Sequence, residues 1–241
     1  MEREHRSPRL SERVNASGTD GPSWLTNCWH LFGLLLWTLL LRVLNRVTVV
    51  GREHIPPRGA RNILICSNHI SALDPFIIGI TAMPRFSPVW WRAAAKEELF
   101  ERPIVNKIIA TWGAFPVKRG QKDLASIARM VALLPSSVLV IFPEGTWSET
   151  GQLLRGKPGV GKVIYDARPT VIPVAIAGTD EILPREHTMI RVGRRATIAF
   201  GPPVDLTRFY AEPDTIEQSQ RIIDTVIEKI DELYRAIKHQ P

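Results

Sequence analysis

Cysteine is scarce in this chain: Cys28 and Cys66 are the only two among 241 residues, and neither lies in a Cys-x-x-Cys spacing or beside a pair of histidines. A disulfide framework and a structural zinc site are excluded on that count, and a reducing compartment fits best. Internal repeats are absent, and no linker marks a second domain. The fractions of hydrophobic and charged residues, 44% and 23%, exclude disorder, collagen and coiled coil as readings of the whole chain. A length of 241 residues suits a single α/β domain with appendages.

What the chain does have is an excess of positive charge, with 31 Lys and Arg against 24 Asp and Glu. Such a balance points to an anionic partner, whether nucleic acid, a membrane surface or a phosphorylated small molecule. Its distribution is uneven. Residues 85–122 hold eight basic and three acidic side chains, whereas residues 205–241 hold eight acidic and five basic ones. Nucleic acid is disfavoured, because Trp90 and Trp91 sit inside a strand pattern and no repeated stacking platform accompanies the basic stretch.

Residues 1–23 are polar and lack apolar periodicity, as in a disordered leader. Charge then vanishes from Gly21 to Leu41, before Arg42 and Arg46 close the stretch. At about 1.5 Å per residue, Cys28 to Leu41 reaches roughly 21 Å and Trp24 to Leu44 about 31 Å, against a hydrocarbon core of about 30 Å. Trp24, Trp29 and Trp37 suit the headgroup zone, and Arg42 and Arg46 can snorkel toward phosphates. A half-inserted, monotopic helix over residues 24–46 is the favoured reading, with a single span and a buried core helix as the alternatives. The preceding leader is long and no small-x-small cleavage site follows, which argues against a removed signal peptide.

Residues 47–241 alternate short apolar strands with helical windows. Strands are expected near 46–51, 62–67, 88–94, 114–118, 137–142, 170–177 and 190–200. Helices are expected near 75–82, 98–111, 122–134, 159–167 and 214–239. This alternation predicts an α/β fold, with a mostly parallel or mixed sheet of about seven strands flanked by helices. In the last helix Ile216, Ile223, Ile227, Ile230, Leu233, Tyr234 and Ile237 fall near one face, a core stripe.

Three clusters carry possible chemistry, each at the end of a predicted strand, where α/β sheets hold their ligands. The first is His69 with Asp74. In continuous helix the two would diverge by about 140°, so a turn has to join them. Asp74 followed by Pro75 offers one, as an N-cap and first helical residue. Taken alone, the pair reads first as a helix cap beside a turn histidine, and only second as a dyad in which the carboxylate orients the imidazole and the ring accepts a hydroxyl proton. No serine or cysteine elbow accompanies it, so the nucleophile of such a dyad would be the substrate's own hydroxyl. Cys66, on the strand itself, reads as buried filler.

The second cluster, Gly113 to Gly120, delivers Lys118 and Arg119 to a loop. Arg119 is suited to a bidentate phosphate contact with Lys118 in support, although a solvated edge explains them equally well. In the third, Phe142 to Ser148, Gly145 permits close approach of a ligand and Glu144 supplies an acceptor for a polyol hydroxyl. Arg155 and Lys157 follow, just before Pro158-Gly159 opens a helix, a ready place for an anion.

The order Asn68-His69 with Asp74, Gly113 to Arg119, Phe142 to Thr146 and Val171 to Val174 resembles the four motifs of the glycerolipid acyltransferase family. Within it, the chain is similar to the bacterial 1-acyl-glycerol-3-phosphate acyltransferases over about residues 45–205. The resemblance implies transfer of a fatty acyl group from acyl-CoA or acyl carrier protein to lysophosphatidate, with no metal, no cofactor and no covalent intermediate. It implies His69 as general base and Asp74 as its orienting partner. Lys118 and Arg119 then fall at the acceptor-phosphate motif, Glu144, Gly145 and Thr146 at a further acceptor contact, and Val171 to Val174 at a structural motif near the acyl chain. The site would sit at the cytoplasmic face of the cell membrane, and oxyanion donors are sought among backbone N–H groups at the Pro75 helix start.

One departure stands out. Where the family often has arginine after Phe-Pro-Glu-Gly-Thr, this chain has Trp147. Either Arg155 or Lys157 supplies the missing cation, or the acceptor is another lysophospholipid or a glycolipid. A non-catalytic lipid-binding protein of the same fold is the rival outside enzymology.

Overall fold

A computed structural model describes residues 24–83, 90–117, 123–148, 152–185 and 187–238. Its strands are β1 (Arg46–Val50), β2 (Ile63–Ser67), β3 (Trp90–Lys96), β4 (Ala114–Val117), β5 (Ser137–Ile141), β6 (Thr170–Ala177) and β7 (Arg195–Phe200). They form one sheet in the order β1-β7-β6-β2-β5-β3-β4. Every pairing is parallel except that of β6 with β7. The helices are α1 (Trp24–Thr38, continued by a π-helical turn, Leu39–Val43), α2 (Asp74–Ala82), α3 (Pro103–Thr111), α4 (Leu124–Leu133), α5 (Pro158–Ala167), α6 (Thr179–Ile182) and α7 (Ile216–Lys238).

The runs of apolar residues in β2 and β5 are buried at every position, which a strand achieves when both of its faces are covered. Alternation divides them. Ile63 and Ile65 face a core with Val138, Val140, Ile172, Val174 and Ile176, closed by Leu41 after α1, Ile77 and Ile78 of α2, and Ile182 of α6. Leu64 and Cys66 face the opposite core with Leu139, Ile141 and Val171, closed by Met130 of α4, Val160, Val163 and Ile164 of α5, and Ile222, Ile223, Val226 and Ile230 of α7. The molecule is therefore a three-layer α/β/α structure with β2 at its centre.

The connections fix where a ligand can sit. The chain leaves β2 through α2 on one face and leaves the neighbouring β5 through α5 on the other. Adjacent strands whose connections depart to opposite sides open a crevice at their carboxyl ends, and such a switch point is where open α/β sheets bind ligands. His69 follows β2 there, and Glu144 follows β5.

Differences from the expected elements have local causes. The window 98–111 divides into a 3-10 turn, Glu97–Leu99, and α3, because Pro103 restarts the helix. The strand expected from 190 begins at Arg195, after a turn in which Gly193 takes φ +76°. Asp74 is the first residue of α2 with Leu73 at the N-cap position, so it is not itself the cap. In α7, Ile216 is exposed, while Ile222 and Val226 are fully buried and complete the stripe.

α1 lies along the domain. Trp29 donates its indole N–H to Thr111 Oγ1 at 2.9 Å, Trp37 stacks on Phe76 at 4.0 Å between ring centres, and Leu41 is fully buried. At Gly33 an added Cβ would meet the Trp112 ring at 2.1 Å, so glycine lets the helix approach. The outward side exposes Trp24, Leu25, Phe32, Leu35, Leu36 and Leu39. By length and composition Trp24–Val43 also suffices to cross a membrane.

Candidate active site

The site begins where β2 stops. Asn68 extends the pairing to β6 with its side chain: Nδ2 donates to the Ile176 carbonyl at 2.9 Å and Oδ1 accepts the Ile176 N–H at 2.8 Å. A side chain thus satisfies backbone groups that the strand no longer reaches, and the main chain is free to turn. His69 follows on that turn.

The turn returns Asp74 to His69. The imidazole Nδ1 lies 2.8 Å from Asp74 Oδ2, and the same oxygen accepts the backbone N–H groups of Ile70 at 2.7 Å and Ser71 at 2.8 Å. The second oxygen, Oδ1, accepts the Thr179 hydroxyl at 2.6 Å. Asp74 is fully buried and His69 is 6% exposed. A buried carboxylate needs such donors, since leaving a charge unpaired in the interior is costly. The carboxylate bonds backward along its own loop, and Nδ1 donating to it leaves Nε2 as the ring's acceptor. Nε2 has no hydrogen-bond partner among the described residues. Thr179 carries no motif signature, and its partner lies 105 residues away in sequence.

Aromatic rings flank the imidazole. Phe142 stacks on it at 4.0 Å with an interplanar angle of 16°, and Trp147 meets it edge-on at 5.3 Å and 74°. Trp147 thus stands against the histidine, at the position where the resemblance implies a cation.

Glu144 is placed differently from the expectation that it meets a substrate hydroxyl. Its Oε1 accepts the His69 N–H at 3.0 Å and its Oε2 accepts the Leu154 N–H at 2.9 Å, and the residue is 1% exposed. It ties two loops together. Burial pushes its carboxyl up to about 7, opposed by the two backbone bonds and assisted by the nearby charge of Asp74. Beside it, Gly145 adopts φ +72°, a backbone region that side chains with a Cβ rarely enter, and Thr146 is exposed.

The expected oxyanion donors are also corrected. Pro75 has no N–H, and the N–H groups around it are occupied: Asp74 donates to Ser71, and Phe76 and Ile77 donate to Leu73. The start of α2 has no spare donor at these three positions.

A cavity of about 720 Å³ opens beside the site between α4, α5 and the start of α7. Ile127, Met130, Ile141 and Val160 give it apolar walls, and Phe142, Gly145 and Lys157 border it on the side of the histidine. A volume in this range suits a small-molecule ligand. Lys157 is exposed and runs past Gly145, where an added Cβ would lie 3.5 Å from its Cγ. Arg155 points elsewhere, to Asp224 of α7 at 3.5 Å. Lys118 and Arg119 lie outside the described residues. Among the described residues no group of three or more His, Cys, Asp or Glu is arranged to hold a metal ion.

This geometry meets the comparisons with known proteins. The family model described as Acyltransferase matches residues 46–177, more than half of the chain and the whole span from β1 to β6. The chain belongs to the acyltransferase family. Among curated acyltransferase relatives and other matches, it is 27% identical over 217 residues to tafazzin of Drosophila melanogaster, covering 83% of this chain and 57% of that protein. It is 26% identical over 189 residues to a 1-acyl-sn-glycerol-3-phosphate acyltransferase of Borreliella burgdorferi, covering 77% of this chain and 72% of that one. A protein of the same name from Cocos nucifera is 27% identical, with 88% of this chain and 64% of the relative covered. The chain thus spans less than two thirds of the fly and coconut proteins. The crystal structure of the 1-acyl-sn-glycerophosphate acyltransferase PlsC from Thermotoga maritima superimposes with a TM-score of 0.66 at 22% identity. It covers 97% of this chain and 85% of that one, so the two share a fold.

Proposed function

We propose that this protein transfers a fatty acyl group from an acyl thioester, acyl-CoA or acyl carrier protein, to the free 2-hydroxyl of lysophosphatidate, giving phosphatidate. The observation that carries the reading is the His69–Asp74 contact of 2.8 Å, buried at the switch point of the sheet. With Nδ1 held by the carboxylate, Nε2 accepts the proton of the lipid hydroxyl. The oxygen attacks the thioester carbonyl, the tetrahedral intermediate collapses with cleavage of the C–S bond, and the imidazolium returns its proton to the departing sulfur. Base assistance of this kind contributes about 10²- to 10⁴-fold, and positioning of the two substrates supplies much of the rest.

Cys66 takes no part, since it is fully buried and desolvation pushes its thiol far above the ordinary range. Lys157, beside Gly145 and free of any carboxylate among the described residues, is the better candidate for the cation missing at Trp147; Arg155 is engaged with α7. Lys118 and Arg119 remain candidates for the acceptor phosphate on sequence grounds. The apolar cavity suits the acyl chain. We further propose that α1 seats the protein on the cytoplasmic face of the membrane as a monotopic helix. Its inner stripe is committed to the domain, and its outer side exposes apolar residues at the depth where both amphiphilic substrates reside.

Purified protein assayed with lysophosphatidate and a series of acyl-CoA donors, beside His69→Ala, tests the reading. Transfer that falls by about 10²- to 10⁴-fold in the variant supports it. Unchanged transfer in His69→Ala removes the dyad, and absence of transfer to lysophosphatidate removes the acceptor. A second reading, acylation of another lysophospholipid or a glycolipid, is favoured by Trp147, which stands where the family often has arginine. An acceptor panel with one donor separates the two.

A further inference from the structure

Asp74 Oδ2 serves three donors from its own loop, but Oδ1 depends on a single residue from a distant part of the chain. Thr179 stands at the far end of β6, and both it and Asp74 are fully buried. The chain reaches this place through Gly178, which adopts φ +83° and packs so closely on β7 that an added Cβ would lie 2.4 Å from the Arg195 carbonyl oxygen. A glycine that no other residue replaces without strain therefore delivers the threonine hydroxyl to Oδ1 at 2.6 Å. A second bond secures the same region, from Ser71 Oγ to the Leu183 carbonyl at 2.9 Å, so the dyad loop is fastened to the α6 segment at two points.

We propose that Thr179 is a positioning residue for acyl transfer: its hydroxyl, donating to Asp74 Oδ1, sets the plane of the carboxylate and thereby the direction of the His69 ring. The inference rests on the reading of His69 as the base. Rotation of a carboxylate held only through Oδ2 swings its acceptor lone pair relative to Nδ1, and displacement of a reacting group by about 1 Å costs on the order of 10²-fold in rate. The hydroxyl also withdraws part of the charge on the carboxylate. Without it, Oδ1 is an unsatisfied buried acceptor, the carboxylate attracts a proton more strongly, and it stabilises the imidazolium more strongly. Either consequence moves the acidic limb of activity to higher pH. The other ionisable groups facing this pair are Glu144, from the loop after β5, and Asp180, at the start of α6; both carry charge that interacts with Asp74.

The test compares Thr179→Val, which keeps shape and removes the donor, with Thr179→Ser, which keeps the donor and removes a methyl group. Palmitoyl-CoA and lysophosphatidate serve as substrates, with His69→Ala and Asp74→Asn measured in parallel. The expected result is a kcat about tenfold to a hundredfold lower in Thr179→Val. KM values stay unchanged for both substrates, the acidic limb of the kcat/KM profile moves to higher pH, and Thr179→Ser recovers both properties. Wild-type kcat and pH profile in Thr179→Val would overturn the proposal, as would a Thr179→Ser as impaired as the valine variant, which would assign the role to packing. If Thr179→Val does not accumulate as folded protein, Thr179→Cys, a weak donor of similar size, replaces it, with lowered kcat supporting the proposal and wild-type kcat overturning it. Failure of the underlying reading looks different, because His69→Ala and Asp74→Asn would then retain acyl transfer.

Discussion

Glu144 and His69 are joined through the main chain of the histidine: Glu144 Oε1 accepts the His69 N–H, while the carboxylate's other oxygen accepts that of Leu154. Glu144, in the loop after β5, therefore fixes the backbone of His69 just beyond β2 and the loop that leads to Lys157. Each donor requires an acceptor, and a glutamine offers one oxygen where the carboxylate offers two.

Glu144→Gln is accordingly expected to destabilise the fold by about 1–3 kcal/mol at neutral pH, the cost of a buried donor left without its acceptor. The pH dependence has a definite sign. A carboxyl raised from 4.5 to about 7 by burial binds its proton more tightly in the folded chain than in the unfolded one. Its contribution favours folding below the unfolded value and is withdrawn as pH rises to about 7. Urea denaturation of both proteins across this window should show the wild type losing stability relative to Glu144→Gln as pH increases. A difference that does not vary with pH would show that burial leaves the carboxyl unperturbed.

Lys157 and Arg155 lie two residues apart, yet they are expected to behave differently. Lys157 borders the cavity beside Gly145, whereas Arg155 is largely exposed and turned to Asp224. Lys157→Ala should raise KM for a phosphate-bearing acceptor by about tenfold or more, the loss of one charged hydrogen bond, with kcat little changed. Arg155→Ala should leave KM within about twofold, because its guanidinium is turned to Asp224 and does not border the cavity. Steady-state kinetics with the acceptor varied would decide between them, and the reverse order would move the phosphate site toward α7.

Much of the architecture was legible because its signals are local. Unbroken apolar runs announced β2, β5 and β6, and proline at the start of α2 and α5 marked those helix entries within a residue, whereas the restart at Pro103 lies inside a window that reads as one longer helix. The His69–Asp74 pair was legible for the same reason, being five residues apart. What stayed hidden depends on contacts across the chain. Nothing near Thr179 points to Asp74, since the 2.6 Å bond exists only after β6 has paired with β2. Glu144 read as a ligand contact because an acidic residue after a buried strand has the same composition whether its oxygens face a substrate or two backbone N–H groups. In α7, Ile216 belongs to the apolar stripe by spacing but lies beyond the layer it covers, so it reaches the cavity mouth instead.

Cysteine chemistry offers a direct check on a mechanism without a covalent enzyme intermediate. Cys28 is exposed on α1 and Cys66 is buried under α4 and α5 with a thiol that desolvation holds protonated. Treatment of the folded protein with a maleimide should modify Cys28 alone, as read by mass spectrometry, and Cys66→Ala should retain acyl transfer within about threefold despite a modest loss of packing stability. Labelling of Cys66 in the native state, or loss of transfer in Cys66→Ala with the fold intact, would place a nucleophile on β2 and reverse the proposed sequence of steps.

The two sides of α1 should be separable by mutation. Trp29, Gly33, Trp37 and Leu41 recur every four residues, and this one stripe faces the domain. Gly33→Leu forces a side chain into the Trp112 ring, where even a Cβ would lie 2.1 Å away, and should cost about 1–3 kcal/mol of stability. Phe32, on the outward side, is 57% exposed, so Phe32→Asp should leave the thermal midpoint almost unchanged. Its effect belongs to the membrane: loss of a buried phenyl group, worth about 1.5–3 kcal/mol, weakens partitioning by about tenfold to a hundredfold in a vesicle flotation assay. A helix that crossed the bilayer away from the domain would give the opposite pattern. Gly33→Leu would then not alter the thermal midpoint, because no contact with Trp112 would exist to be lost.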